Sequence, residues 1–157
     1  MIMEQNPEEA VRLARAKAMK LLEFSDKTEQ QLRERLKEGE FPPFAIDNAI
    51  EYLKGLHYLD DVRYASSYIR AKAGQKSVNE IRLALLQKGV SKEDIVTALE
   101  QEPPDESAAV KRLFMRKFQH ADLTDPEVYR KAFSYLGRKG FPYECIKNTL
   151  SEILENS

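Results

Sequence analysis

The chain contains few side chains that could perform nucleophilic or metal chemistry. Its 157 residues include one cysteine, Cys145, and two histidines, His57 and His120. A single cysteine excludes an internal disulfide, a CxxC redox pair and a cysteine-based zinc site, and two histidines disfavour a histidine-rich metal site. The phosphate-loop, dinucleotide, serine-hydrolase and zinc-protease motifs (GxxxxGK[ST], GxGxxG, GxSxG and HExxH) do not occur. We therefore expect no enzymatic activity and no cofactor.

The adjacent carboxylates Asp60 and Asp61 can be interpreted in two ways. They could bind a metal or act as acids, but carboxylates directly before a helix more often cap its first turn, and we interpret them as caps. His57, near the end of a predicted helix, is interpreted as a structural residue that pairs with exposed carbonyls. Cys145 is interpreted as a small buried thiol on an amphipathic helix. His120 lies in a predicted loop and has no partner that the sequence can assign.

Positive charge is concentrated in two parts of the chain. The net charge of −1 excludes a polycation that binds nucleic acid by bulk charge. Residues 61–90 contain six bases and two acids, and residues 108–157 contain nine bases and six acids. Residues 1–60 (nine bases, twelve acids) and 91–107 (one base, six acids) are acidic.

The basic segments supply ten candidate contacts to an anionic partner. They are Arg63, Arg70, Lys72, Lys76, Arg82 and Lys88 in the middle of the chain, and Arg116, Lys117, Arg138 and Lys139 near its end. Bases close to aromatic residues such as Tyr64 and Tyr68 could hold phosphates and stack nucleobases. The alternative is a solvated charged face above packed tyrosines. Adjacent pairs, among them Arg130 and Lys131, cannot point the same way.

Apolar residues recur at spacings of three and four, which predicts helices, and no segment alternates as a strand does. Capping signals and prolines predict nine helices. The predicted starts lie at Asn6-Pro7, Thr28-x-x-Gln31, Pro42-Pro43, Asp60-Asp61, Ser77-x-x-Glu80, Ser91-x-x-Asp94, Asp105, Thr124-x-x-Glu127 and Pro142. Segment 102–105 (EPPD) is the clearest linker, because consecutive prolines cannot continue a helix.

An internal repeat links these helices. Six positions recur at offsets of 49 and then 51 residues, and all but Thr149 are apolar. The sets are Leu32, Leu36, Phe41, Ile46, Ala49, Ile50; Ile81, Leu85, Val90, Ile95, Ala98, Leu99; and Ala132, Leu136, Phe141, Ile146, Thr149, Leu150. Gly89 and Gly140 lie in the second and third turns. Gly39 lies one residue earlier, which predicts that the first turn is one residue longer.

We therefore predict an all-α fold of three tandem three-helix, helix-turn-helix-like repeats that form an elongated, curved array. The repeats comprise residues 1–58 (acidic), 59–102 (with two basic helices) and 103–157 (basic). No uncharged stretch exceeds six residues, so we expect no membrane span. The first five residues have neither a basic start nor an apolar run, so we expect no signal peptide and a cytoplasmic protein.

Several segments together resemble the RecX family of regulators of the RecA recombinase. Segment 56–65 (LHYLDDVRYA) resembles the family signature Gly-aromatic-Leu-Asp-Asp-x-Arg-aromatic-Ala. Segment 81–91 (IRLALLQKGVS) is similar to a second signature, Ile-Arg-x-x-Leu-x-x-Lys-Gly-Ile/Val. Segments 28–36 (TEQQLRERL) and 138–141 (RKGF) are similar to the first and last repeats of the family, so the resemblance extends over almost the whole chain.

The resemblance implies three three-helix units that bind the RecA–single-stranded DNA filament and inhibit its growth, ATP hydrolysis and strand exchange. We also expect the protein to be a monomer. Such a protein would temper recombination, DNA repair and the SOS response. The ten basic residues would then contact the filament or its DNA. Two other classes remain open, a helix-turn-helix regulator that binds defined duplex DNA and a helical scaffold with another partner.

Two departures from the family pattern carry expectations of their own. His57 stands where the family usually has glycine, which predicts an altered turn before Asp60. Segment 71–76 (AKAGQK) has fewer bases than many members, which predicts weak direct DNA binding.

Overall fold

The computed structural model describes residues 6–157, and in that range it contains nine α-helices and no β-strand. The helices are α1 (Pro7–Phe24), α2 (Glu29–Glu38), α3 (Pro43–Gly55), α4 (Asp61–Lys72), α5 (Val78–Gln87), α6 (Lys92–Gln101), α7 (Glu106–Lys117), α8 (Pro126–Arg138) and α9 (Tyr143–Glu155). The predicted all-α fold is confirmed. The expectation about a signal peptide in residues 1–5 lies outside the described residues. Between residues 6 and 157, no helix has the length and apolar character needed to cross a membrane.

Most predicted helix starts are confirmed by their capping hydrogen bonds. Thr28 and Gln31 form the expected reciprocal capping box at the start of α2. Thr124 is an exception, because α8 begins at Pro126 and its cap is Asp125, which accepts the backbone N–H of Glu127 at 2.9 Å. The hydroxyl of Thr124 instead donates to the Asp122 carboxylate at 2.6 Å.

Packing divides the described chain into two compact units. One contains the described residues through Ala65 together with Leu85–Ala98, and the other contains Ser66–Ala84 together with Leu99–Ser157. The division falls within α4, within α5 and within α6. The repeat boundaries predicted at 58/59 and 102/103 remain predictions.

The core of the first unit forms where α1 packs against α3 and where α2 packs against both. Ala10, Ala14 and Ala18 are fully buried along one face of α1. Small side chains at this four-residue spacing let α1 approach its neighbours closely, while α2 and α3 supply the larger aliphatic side chains. The latter are Leu32, Leu36, Ile46, Ile50 and Leu53.

In the second unit, α7, α8 and α9 pack against one another around a core with many aromatic rings. Phe114 stacks on Phe118 with a centroid separation of 5.6 Å. The Phe118 ring meets the edge of Tyr135 at 5.9 Å, and Phe133 lies 5.0 Å from Tyr143. Among residues 6–157, the members of this buried cluster all lie on these three helices or their connections.

The positions that define the sequence repeat are the positions that the fold buries. Sixteen of the eighteen are buried, and Phe41 and Leu99 are half-buried. Thr149, the single polar member, is only 1% exposed. The periodicity therefore identified core positions in all three repeats.

The three helix-to-helix turns have the same length, so the prediction of a longer first turn is wrong. The left-handed position is Glu40 (φ +63°) in the first repeat, Gly89 (φ +92°) in the second and Gly140 (φ +95°) in the third. These residues are related by the repeat offsets. In each turn, the backbone N–H of the next residue donates to the carbonyl of the residue five positions earlier. The N···O distances are 3.3 Å for Phe41, 3.0 Å for Val90 and 3.4 Å for Phe141. Gly39 has φ −77° and does not occupy the left-handed position.

In each unit, a hydroxyl at the start of one helix forms a hydrogen bond with a backbone carbonyl in the turn of the next repeat. We call this contact a joint, and the two joints are equivalent. The Thr28 hydroxyl donates to the Lys88 carbonyl at 2.6 Å, and the Ser77 hydroxyl donates to the Lys139 carbonyl at 2.7 Å. Both hydroxyl residues cap the second helix of their repeat. Because both residues are fully buried, each joint satisfies a hydroxyl that would otherwise be costly to bury.

Candidate functional site

The adjacent carboxylates Asp60 and Asp61 both act as helix caps, as the sequence predicted, but on different helices. Asp60 accepts the backbone N–H of Arg63 at 3.1 Å and caps α4. Asp61 accepts the backbone N–H of Glu29, the first residue of α2, at 2.9 Å. The second unit repeats this arrangement, because Glu106 accepts the backbone N–H of Val78 at 3.0 Å. These carboxylates therefore reinforce the hydroxyl joints between successive repeats.

Asp61 lies at the edge of an open concavity of about 380 Å³ that is rich in acidic residues. Burial raises the pKa of the Asp61 carboxyl, and the charges of Glu29 and Asp94 raise it further, against the Glu29 N–H and Lys54. Burial also raises the pKa of Glu29, but hydrogen bonds from Lys54 and Arg33 outweigh it and hold that pKa below its usual range. Among residues 6–157, no group of histidines, cysteines and carboxylates is arranged to hold a metal ion.

His57, His120 and Cys145 form no cluster of catalytic character. His57 is exposed and has φ +61°, a left-handed conformation that glycine adopts readily, and the altered turn expected from a histidine here remains a prediction. His120 is exposed after α7. Cys145 is half-buried, with its sulfur 4.0 Å from the Ser107 hydroxyl, and burial raises the pKa of its thiol. A raised thiol pKa disfavours the nucleophilic thiolate.

The side chains of Arg63 and Arg70 make specific intramolecular contacts. The Arg63 guanidinium donates to the backbone carbonyls of His57 and Tyr58, at 2.7 and 3.1 Å, and so satisfies acceptors beyond the end of α3. Arg70 forms an ion pair with Glu102 at 2.6 Å and also donates to the Ser67 hydroxyl. Part of the positive charge predicted for binding is therefore committed to structure.

The other predicted residues of the middle repeat differ in their exposure and in the contacts of their side chains. Lys72 lies 5.8 Å from the centre of the half-buried Tyr68 ring. Lys88 is half-buried, and its carbonyl belongs to the Thr28 joint. Arg82 is exposed and Lys76 is half-buried, and within residues 6–157 neither side chain has an ion pair or hydrogen bond.

In the third repeat, cations from α7 and α8 converge on one open concavity of about 440 Å³. Of the predicted residues, Lys117 and Arg138 line it, and the Lys139 ammonium lies 5.5 Å from the centre of the Tyr135 ring that also lines it. Arg116 is exposed but is not part of the lining. Arg116 and Lys117 thus separate, as expected for adjacent residues. The same expectation is wrong for Arg130 and Lys131, because adjacent helical side chains diverge by only about 100° and both line this concavity.

The lining contains two cations, Arg130 and Lys131, that were absent from the ten predicted contacts. A sequence signal for Lys131 exists, because Lys131, Ser134, Tyr135 and Arg138 recur at helical spacings of three, four and seven. The contribution of Lys117 depends on how α7 packs against α8, which helical spacing alone does not specify.

Comparison with known proteins identifies the three repeats individually. Models for the first, second and third three-helix domains of RecX match residues 14–53, 60–99 and 105–150. The Regulatory protein RecX of Clostridium botulinum (strain Eklund 17B / Type B) is 32% identical over 152 residues, which cover 93% of this chain and 71% of that protein. The Regulatory protein RecX of Vibrio vulnificus (strain CMCP6) is 32% identical over 86% of this chain and 89% of its own length.

Solved structures agree with these sequence matches. A crystal structure of regulatory protein RecX superimposes with a TM-score of 0.80 at 27% identity, over 92% of this chain and 75% of that chain. The crystal structure of RecX from Lactobacillus salivarius has a TM-score of 0.77 over 92% of this chain and 97% of its own, at an identity of 21% that supports the fold alone. Since the three domain models follow one another along the sequence and the named relatives match it over most of its length, the chain belongs to the RecX family.

Proposed function

We propose that this protein binds the RecA–single-stranded DNA filament and inhibits its ATPase and recombinase activities, and thereby tempers recombination, DNA repair and the SOS response. The observation that carries the proposal is the match of all three RecX domain models in consecutive order. The protein acts as a cytoplasmic monomer without a cofactor and performs no chemistry itself. Its relatives are named regulatory proteins, which agrees with a role in modulating another enzyme.

The ten predicted basic residues are the proposed filament contacts, and their structural roles rank them. Arg63 and Arg70 already hold carbonyl and carboxylate partners, so replacing either would also disturb the fold. Arg82 and Lys76 are better probes, because substituting them breaks no hydrogen bond or ion pair among residues 6–157. The third repeat contributes Arg116, Lys117, Arg138 and Lys139, of which Lys117 and Arg138 line its basic concavity.

The experiment that tests the proposed function is ATP hydrolysis by the RecA of the same organism on single-stranded DNA, with this protein titrated in. We expect hydrolysis to fall at amounts of this protein below one per RecA protomer. Unchanged hydrolysis at several-fold excess, together with no binding to the filament, contradicts the proposal. In that case, footprinting on duplex DNA separates a sequence-specific regulator from a scaffold with another partner.

A charge-reversal pair tests whether the middle repeat takes part. The double variant Lys76→Glu, Arg82→Glu should inhibit RecA less strongly while its circular dichroism spectrum stays helical. The matched control is Lys17→Glu, Lys20→Glu on α1, which changes the net charge equally at two exposed positions. If both double variants inhibit as the unmodified protein does, residues 76 and 82 are not filament contacts.

A further inference from the structure

The basic concavity of the third repeat is formed by side chains whose charges all have one sign. It is lined by Lys117 and Phe118 from the end of α7 and by Arg130, Lys131, Ser134, Tyr135 and Arg138 from α8. Arg130 also forms an ion pair with Glu127, which lies outside the lining, and its side chain remains 70% exposed. Four cations therefore surround an open space with no carboxylate in its wall.

Aromatic rings form the apolar part of this concavity. The Lys117 ammonium lies 4.4 Å from the centre of the Tyr135 ring, and the Lys139 ammonium lies 5.5 Å from it. Phe118 packs its ring against Tyr135 at 5.9 Å in an edge arrangement. The cation–π contacts hold two flexible lysines near the concavity and reduce the conformational entropy they would lose on binding an anion.

The other two repeats show that the fold does not require these cations. At the repeat offsets, Arg130, Lys131, Ser134, Tyr135 and Arg138 correspond to Gln30, Gln31, Glu34, Arg35 and Glu38 in the first repeat, and to Asn79, Glu80, Leu83, Ala84 and Gln87 in the second. Each of those sets has a net charge of −1, against +3 in the third repeat. Since α2 and α5 form the same helix without the charges, packing does not account for them in α8.

We propose that this concavity binds the sugar–phosphate backbone of single-stranded DNA, with Lys117, Lys131 and Arg138 as the principal phosphate contacts. The inference rests on the proposed function and deepens it, because it names the DNA as the part of the filament that the third repeat touches. Cations that track a backbone beside aromatic rings are typical of single-strand binding. Lys131 and Arg138 are about 10 Å apart along the helix axis, a span of about three stacked nucleotides.

Binding of a fluorescent oligothymidylate, measured by anisotropy at several salt concentrations, tests the inference on the full chain. The probe variant is Lys131→Glu, Arg138→Glu. The control is Lys111→Glu, Arg112→Glu, which makes the same change of net charge at two exposed positions of α7 outside the lining. We expect the probe variant to weaken binding about tenfold at low salt. Loss of two phosphate contacts should also reduce the slope of log affinity against log salt by about 1.4.

Three outcomes would overturn the inference. Equal weakening by both double variants indicates bulk charge, and no weakening by either indicates no site. Displacement of the oligonucleotide by polyglutamate at equal charge concentration indicates a surface for acidic protein segments instead. The RecA assay separates this inference from the proposed function. If the protein binds the oligonucleotide through the concavity but leaves RecA unaffected, the proposed function alone is disproved. If the protein inhibits RecA but Lys131→Glu, Arg138→Glu does not weaken its binding to the oligonucleotide, the inference alone is disproved.

Discussion

The left-handed position that follows the second helix of each repeat holds two different residue types for a steric reason. A Cβ atom at Gly89 would lie 2.5 Å from the Cβ of Gln30, and one at Gly140 would lie 2.9 Å from the Ser77 hydroxyl oxygen. Both glycines thus stand where the joint with the preceding repeat brings another helix start close to the backbone. Glu40, at the equivalent position of the first repeat, is exposed and tolerates a side chain.

Gly89→Ala should therefore destabilise the protein by about 2 kcal/mol or more, because the left-handed strain of a non-glycine residue adds to the clash with Gln30. Gly137→Ala is the matched control. Gly137 lies within α8, and a Cβ atom added there would meet no other atom within 4 Å, so alanine should stabilise by up to about 1 kcal/mol. Urea denaturation measures both. Equal stability of the two variants would show that the joint at Gly89 is not tightly packed.

Glycine spacing in the sequence identified the second and third turns but misplaced the first. The sequence contains Gly39, and glycine is the usual residue for a left-handed helix end. In the structure the backbone places Glu40 there, because the apolar register from Leu36 to Phe41 fixes the turn length. The pattern of core positions was therefore a better guide to the turn than the glycine.

At the scale of the elements, the joints explain why an acidic pair precedes α4. Asp60 caps its own helix, whereas Asp61 caps α2 of the preceding repeat. The sequence predicted capping but could not identify the second helix, since Glu29 and Asp61 are 32 residues apart. The hydrogen bond between Asp61 and Glu29 depends on how successive repeats pack together. Helix propensity and capping patterns within one segment do not predict that packing.

Two substitutions at Asp61 should separate its hydrogen bond from its charge. Asp61→Asn keeps a side-chain oxygen for the Glu29 N–H, whereas Asp61→Ala leaves that donor without its partner and should be less stable than Asn by about 1 kcal/mol. Denaturation at a series of pH values measures both. Equal stability of the Asn and Ala variants would show that the hydrogen bond contributes nothing.

The pH dependence of the Asn variant follows from the raised pKa of Asp61. Burial and the charges of Glu29 and Asp94 oppose ionisation of Asp61 more than the Glu29 N–H and Lys54 support it. The folded protein therefore binds a proton here more tightly than the unfolded chain does. At neutral pH the Asn variant should be at least as stable as the unmodified protein. Its advantage should shrink as the pH falls through the raised pKa towards the ordinary value of 3.8. An advantage that grows on acidification would contradict this assignment.

At the scale of the whole molecule, the sequence predicted the helical repeat more fully than the binding surface. Helical spacing brings Lys131, Tyr135 and Arg138 onto one side of α8, but it cannot add Lys117 from α7. Nor can it show that Arg70 is paired with Glu102 across 32 residues. One-dimensional charge counts located the basic segments, and tertiary packing then determined which cations share a space and which are neutralised.

The middle repeat should behave differently from the third when each is isolated. The buried residues of segment 59–102 divide between the two packing units, with Leu85, Val90 and Ile95 in one and Ile69 and Ile81 in the other. The cluster of α7, α8 and α9 instead lies wholly within residues 103–157. A fragment that cannot bury its apolar residues among themselves does not offset its conformational entropy.

We therefore expect a peptide of residues 103–157 to show helical circular dichroism and a cooperative thermal transition, and a peptide of residues 59–102 to show little helix and no such transition. The two peptides test the predicted boundary at 102/103 directly, because one peptide ends and the other begins there. Their lengths, near the lower limit for independent folding, make the internal core the deciding factor. Cooperative melting of the 59–102 peptide would show that the middle repeat is an autonomous domain, and that the hydrogen-bonded joints join finished domains rather than helping to complete one.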